Sequence, residues 1–254
     1  MIYDIQKANM WKRISAYLFD FILLCIAAVG IAFLLSLALN FQSHSDARDA
    51  MRNEYEVKYG VDFDIKQADF DALSEEEKKN FEEAYRAFVT DPEVNNKDLL
   101  LINLSMMITS FGILFSYLVL EVFIPIKLKN GQTLGKKIFG IAVMRADGVR
   151  LSTLQLLVRT VLGKYAIETM IPVFLILLFL FNYMTLFCVV GLAVILIMQI
   201  IFVATTQHRT PIHDAIAGTV TVDMASQLIF DTPEALTEYK KRVHAEAADK
   251  AEYK

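Results

Sequence analysis

Six ionisable residues stand at the edges of long apolar runs, where charge is expensive: Arg13, Asp20, Glu121, Lys164, Glu168 and Asp214. Arg13 and Asp20 lie seven residues apart in WKRISAYLFDFILL. Seven helical steps return to within about 20° of the starting direction, so the two share a face, two turns and roughly 10 Å apart. That is long for direct contact, although an arginine shortens the gap and another acid could complete the bridge. An ionised carboxylate at such a depth costs on the order of 2.5–3.5 kcal/mol and needs a partner or water. A carboxylate so placed is also suited to taking up and releasing a proton or a cation. Asp20, Asp214, Arg13 and Glu121 are therefore the candidate ion- or proton-binding residues. Lys164 and Glu168, four residues apart, form a candidate structural pair. A plainer reading of the same residues is that Arg13 marks a basic membrane edge and Asp20 serves helix packing, paired with Arg13 or Asp214. Gln199 is read as a helix–helix hydrogen-bonding residue. His213 is read as a polar surface residue, with titration near neutral pH as the alternative.

The segments that must hold these residues are helical and apolar. Hydrophobic residues make up 55% of the 254, bunched into blocks and punctuated by only 10 Gly and 5 Pro, which argues for membrane spans over an ordinary soluble core. Residues 21–39 carry no charge and follow Lys7, Lys12 and Arg13. Ser36-Leu37-Ala38 could serve as a signal-peptide cleavage site, but signal apolar regions run about 7–15 residues, and a membrane span fits better. A second span is expected over about 99–126. The charge-free stretch 169–206 is too long for one crossing and suits spans at about 165–182 and 185–206, with a turn at Asn182-Tyr183; a re-entrant hairpin is the alternative. The two cysteines, Cys25 and Cys188, lie inside apolar runs and are expected to be buried free thiols.

Between the first two spans, residues 40–98 hold 16 acidic against 8 basic residues. Ser74-Glu75-Glu76-Glu77 has the capping-box pattern, and the apolar spacing that follows predicts a helix over about 75–89. This block reads as a small helical insert outside the membrane, with a partner as its natural ligand. Residues 127–164 reverse the bias, with eight basic residues and a single acid, Asp147. Within that block, Leu154, Leu157, Val158, Val161 and Leu162 beside Arg159 and Lys164 predict an amphipathic helix on the membrane surface, with the basic residues meeting anionic lipid heads. Counting basic residues near the span ends places both termini and 127–164 in the cytoplasm and the insert outside. The resulting organisation is an all-α polytopic membrane protein. Residues 1–39 form an N-terminal segment and first span, 40–98 the extracytoplasmic insert, 99–224 the remaining membrane domain, and 225–254 a cytoplasmic tail.

No nucleophile elbow, phosphate loop, dinucleotide fingerprint or zinc-type spacing occurs, so neither an enzyme, a cofactor nor a metal is expected, and the basic block does not call for nucleic acid. Three stretches together are more specific: Arg13 with Asp20, GQTLGKKIFGIAVMRADG, and RTPIHDAIAGTVTV. In that order they resemble the RDD family of small membrane proteins, named for an arginine and two aspartates that match Arg13, Asp20 and Asp214. The resemblance covers about 10–40 and 99–224. It implies a bacterial cell-membrane protein for which transport of ions or small ligands, including alkali-cation/proton exchange, is the usual proposal. Two functions follow as expectations. One is a transporter or cation/proton exchanger using Asp20 with Arg13 and Asp214, with oligomerisation needed to build a path because four spans enclose little interior. The other is a non-transporting scaffold whose insert binds a partner.

Overall fold

The computed structural model describes residues 5–128, 131–180 and 184–252, the side chains of 249–252 excepted. The expected Asn182-Tyr183 turn, Asn130 and Lys129 lie outside the described residues. Four helices are long and apolar enough to cross a membrane: Met10–Ala38, Pro92–Leu128, Thr153–Leu180 and Thr185–Thr205. Their outward side chains, Phe33, Leu186 and Leu196 among them, are exposed, as lipid-facing side chains must be. The chain is an all-α polytopic membrane protein with one small sheet. Two full-length helices occupy the region for which a re-entrant hairpin was the alternative.

The chain divides into two compact units, Met1–Ala28 with Ile113–Lys254, and Val29–Gly112. In the second unit, α1 (Met10–Ala38) ends and α2 (Phe41–Tyr59), α3 (Gln67–Asp71) and α4 (Glu75–Thr90) follow, before α5 (Pro92–Tyr117) begins. The capping box forms: Ser74 accepts from the Glu77 amide, and the Glu77 carboxylate accepts from the Ser74 amide at 2.8 Å. Phe63 packs edge to face on Phe81 and Tyr85 and tilted against Phe88, at centroid distances of 5.5–5.9 Å. Tyr55 donates to Asp91 (2.6 Å) and Arg48 to Asp98 (3.0 Å), so these helices are clamped to the start of α5 within the unit.

In the first unit α5 passes without a break into a π-wound stretch, Leu118–Phe123, and then α6 (Ile124–Leu128). After α7 (Leu134–Ile138) comes β1 (Ile141–Arg145). α8 (Thr153–Leu157) continues through a π-wound stretch, Val158–Met170, into α9 (Ile171–Leu180). α10 (Thr185–Thr205), α11 (Ile212–Ala217), β2 (Thr219–Asp223) and α12 (Pro233–Glu252) complete the chain. The strands pair antiparallel, Ile141 opposite Asp223 and Arg145 opposite Thr219. Strand alternation sends Ala142, Met144, Val220 and Val222 into one buried apolar cluster and leaves Thr219 and Thr221 on the other face. This sheet was not anticipated, although IAVMR and TVTV are β-branched or apolar runs beside glycine.

The expected surface helix is corrected. Residues 153–164 are the opening turns of one continuous helix, Thr153–Leu180, which is long and apolar enough to cross a membrane, and not a separate helix. Arg159 and Lys164 are buried, because facing acids draw them inward. Cys188 is buried and Cys25 exposed, neither in a disulfide, so only one cysteine lies where expected.

Candidate functional site

The charged residues meet in the first unit, around a short loop that enters against α1. Thr133 caps α7 by accepting from the Lys136 amide, and its hydroxyl donates to the Asp20 carboxylate. The Gly135 amide donates to the same carboxylate at 2.8 Å. Asp20 thus satisfies one of the free amides at the start of α7, as a carboxylate near a helix N-terminus commonly does, while Thr133 satisfies another. Gly135 is required by closeness: a Cβ there would sit 2.5 Å from the Ala16 carbonyl oxygen and 2.9 Å from the Asp20 carboxyl carbon. Ala16 is the buried residue of α1 facing this loop.

Lys136 extends from α7 into the interior. Its ammonium donates to the Thr133 hydroxyl (3.2 Å) and lies 3.9 Å from Asp20 and 3.8 Å from Glu121. Burial pulls Lys136 down to about 8; Lys164 and Arg159 add to that, while Glu121 and Asp20 oppose it. Glu121 accepts from Lys164 and from Arg159 (3.3 Å). Arg159 reaches across to Asp214 at 2.7 Å, and Asp214 also accepts from Thr219 (2.8 Å) and Thr221 (3.3 Å) on β2. Burial alone would raise the Asp214 carboxyl, but Arg159 and His213 outweigh it and hold it well below the usual carboxylate range. The adjacent His213 Nδ1 lies 2.7 Å from Glu168, and Glu168 accepts from Gln199 at 3.1 Å. Burial lowers His213, with Arg159 adding to it and Asp214 and Glu168 opposing. Gln199 also accepts from the Ile212 amide (3.1 Å), so it ties α10 to α11 as well as to the third span.

The winding of the helices makes this possible. Arg159 and Lys164 are five residues apart, which α-helical geometry would rotate about 140° from each other. Hydrogen bonds reaching the fifth residue narrow that angle, and both cations meet Glu121, which lies on a π-wound turn of its own. Gly163 lets α11 approach: a Cβ there would lie 2.5 Å from the His213 Cβ.

A cavity of about 520 Å³ opens onto these groups. Arg13, Asp20, Glu121, Lys136, Arg159, Lys164, Glu168, His213 and Asp214 all contribute to its lining. A smaller space of about 50 Å³ lies beside it against Tyr17, Asp20 and Tyr117.

Every anticipated site residue therefore lies around one cavity, but the expected pairings change. Asp20 bonds to α7 and not to Arg13. Asp214 pairs with Arg159, and among the described residues Arg13 forms no ion pair. Lys164 and Glu168 do not pair with each other; Glu121 takes the first and His213 the second. His213 is buried and bonded, not a surface residue. Lys136 and Arg159, missed as site residues, are the cations that join the acids. The available signals were the Thr133 cap, which turns Lys136 inward, and the apolar flanks of Arg159.

Four apolar helices around a buried, alternating set of acids and bases define a polytopic membrane protein with an ionic core. The RDD family model matches residues 7–218, and the chain belongs to the RDD family. No curated protein and no solved structure matches it.

Proposed function

We propose that the protein is a secondary transporter of small ions or ligands, with proton or cation exchange at the ionic core. Asp20 is the exchanging carboxylate, Glu121 assists, and Arg13 and Asp214 set the local field. The observation that carries this reading is the 520 Å³ cavity lined by Asp20, Glu121, Glu168 and Asp214 together. A charge set serving packing alone has no need of such a space, and buried acids in spanning segments are functional candidates by default. Positive-inside counting supports a multi-pass cell-membrane protein with both termini and the α7 loop in the cytoplasm. Lys127 and Lys137, exposed basic residues of the 127–164 segment, are suited to anionic lipid heads. Homo-oligomerisation would supply the remaining wall of a path. The test is cation-driven proton movement in proteoliposomes: Asp20→Asn should abolish it, and wild-type flux in that variant would refute the assignment.

The scaffold reading is supported by a different observation: each core carboxylate already accepts from a protein donor. In that case the 40–98 insert is the partner-binding part. Deleting it should abolish partner co-purification while leaving the membrane domain folded, and equal recovery with and without it would count against a scaffold.

A further inference from the structure

Arg13 differs from every other charge around the cavity. Asp20 is held by the Gly135 amide at 2.8 Å, Glu121 by Arg159 at 3.3 Å, Glu168 by Gln199 at 3.1 Å, and Asp214 by Arg159 at 2.7 Å. Arg159 and Lys164 are committed in return, and Lys136 sits between Asp20 and Glu121 at 3.8–3.9 Å. Among the described residues, the Arg13 guanidinium makes neither an ion pair nor a hydrogen bond; it feels the charge of Asp214 only through space. Among the described residues the lining thus has no carboxylate without a donor, whereas the donor fork of Arg13 has no partner. A guanidinium in that state matches a planar carboxylate or a phosphate in a two-point contact.

The space next to Arg13 is of the size that small-molecule sites have, roughly 300–1,000 Å³, and far exceeds what a bare ion needs. Part of its wall is apolar: Met10 and Ile14 from α1, and Leu192, Ile195 and Val203 from α10. A ligand filling it would meet hydrocarbon from α1 and α10, the mutually paired charges of the ionic core, and Arg13, the cation without a partner among the described residues.

We propose that this cavity binds an amphipathic monoanion, with its carboxylate or phosphate on Arg13 and its hydrocarbon between α1 and α10. The anionic group could belong to a membrane lipid or to a free organic acid, since Arg13 would recognise either in the same way. The site goes beyond the transport reading and is tested by binding, so failure of one leaves the other standing.

The experiment uses the full-length protein in phosphatidylcholine nanodiscs, titrated calorimetrically with octanoate and with octanol, empty nanodiscs being subtracted. Saturable octanoate binding at least tenfold tighter than that of octanol is expected. Arg13→Gln should remove that preference while octanol binding stays as in wild type, and Arg13→Lys should keep part of it. Leu192→Trp, which fills the cavity, should weaken both ligands. Equal affinity of wild type for octanoate and octanol would overturn the proposal without any variant having to fold, and so would an unchanged preference in Arg13→Gln. Repeating the titration in phosphatidylglycerol nanodiscs identifies the source. Weaker octanoate binding there assigns the seat to a lipid head group, and unchanged binding assigns it to a soluble anion; both results support the anion seat.

Discussion

Replacing Arg159 with leucine is the sharpest perturbation of the core. Arg159 donates to Asp214 at 2.7 Å and to Glu121 at 3.3 Å, and its side chain and both acids are buried. Removing one member of a buried ion pair costs about 3–5 kcal/mol, because the remaining charge keeps its desolvation penalty without its partner. Two carboxylates would lose their partner here. However, Asp214 would keep Thr219 (2.8 Å) and Thr221 (3.3 Å), and Glu121 would keep Lys164, so the loss should stay inside that range and not double it. At about 2–4 °C per kcal/mol for a chain of this size, the melting temperature in detergent should fall by roughly 6–20 °C. The double variant Arg159→Leu/Asp214→Leu removes both charges and should recover a substantial part of the loss, since a buried pair is often matched by apolar residues of similar volume. The assay is thermal unfolding of the purified protein followed by size exclusion. If Arg159→Leu melts within about 1 °C of wild type, or if the double variant is less stable than the sum of its singles, the network is not what joins these helices.

Gly163→Ala places a methyl group 2.5 Å from the His213 Cβ, so α11 must move; a loss of about 1–3 kcal/mol is expected by thermal unfolding, and an unchanged melting temperature would show that α11 yields freely. Lys136 has its ionisation pulled down to about 8, so between that pH and 10.5 the unfolded chain holds a proton that the folded one lacks, and stability contributed by this group rises with pH across the window. Lys136→Met should flatten that rise, and parallel melting profiles for the two proteins would contradict it. Ser74→Ala removes the capping hydroxyl of α4, and hydrogen exchange should quicken in the first turn of that helix without spreading to the first unit; protection equal to wild type would refute the cap. With Cys25 and Cys188 replaced by serine, a cysteine at Glu83 should react with an impermeant maleimide added outside intact cells and one at Lys240 should not; labelling of both or neither would reject the proposed topology.

The membrane helices were legible because their signal is length and apolarity, which do not depend on what the helix packs against. The Ser74–Glu77 cap was legible for a similar reason: both partners lie within one turn. The sheet was harder. Five-residue strands carry too little period to be told from turns, and β1 and β2 are separated by more than 70 residues, so only the folded chain shows that they pair. Arg159 and Lys164 were assigned to a lipid surface because the apolar residues around them imply an amphipathic helix in α geometry. That inference assumes 3.6 residues per turn, and the π-wound stretch removes the assumption at Arg159 and Lys164 themselves.

The pairing itself was the least legible feature, for a physical reason that also bears on function. Sequence spacing fixes which residues share a face of one helix, so Arg13 with Asp20 and Lys164 with Glu168 were natural pairs. A buried charge, however, is governed by desolvation, and it takes whichever partner offers the shortest and most numerous hydrogen bonds. Asp20 finds two donors at the start of α7, one of them the Gly135 amide at 2.8 Å. Those donors are local to one loop and available without any bending of α1, whereas Arg13 is two turns away. Asp214 finds Arg159 in the same manner, with two threonines of β2 completing its shell. Each of the two aspartates is therefore satisfied by a part of the chain distant in sequence, and Arg13, which lines the same cavity, is left over. Among the described residues Arg13 is the lining cation whose own acids do not need it, so beside Asp20, the carboxylate proposed to exchange, it is the second residue of the cavity whose outside partner is still to be found.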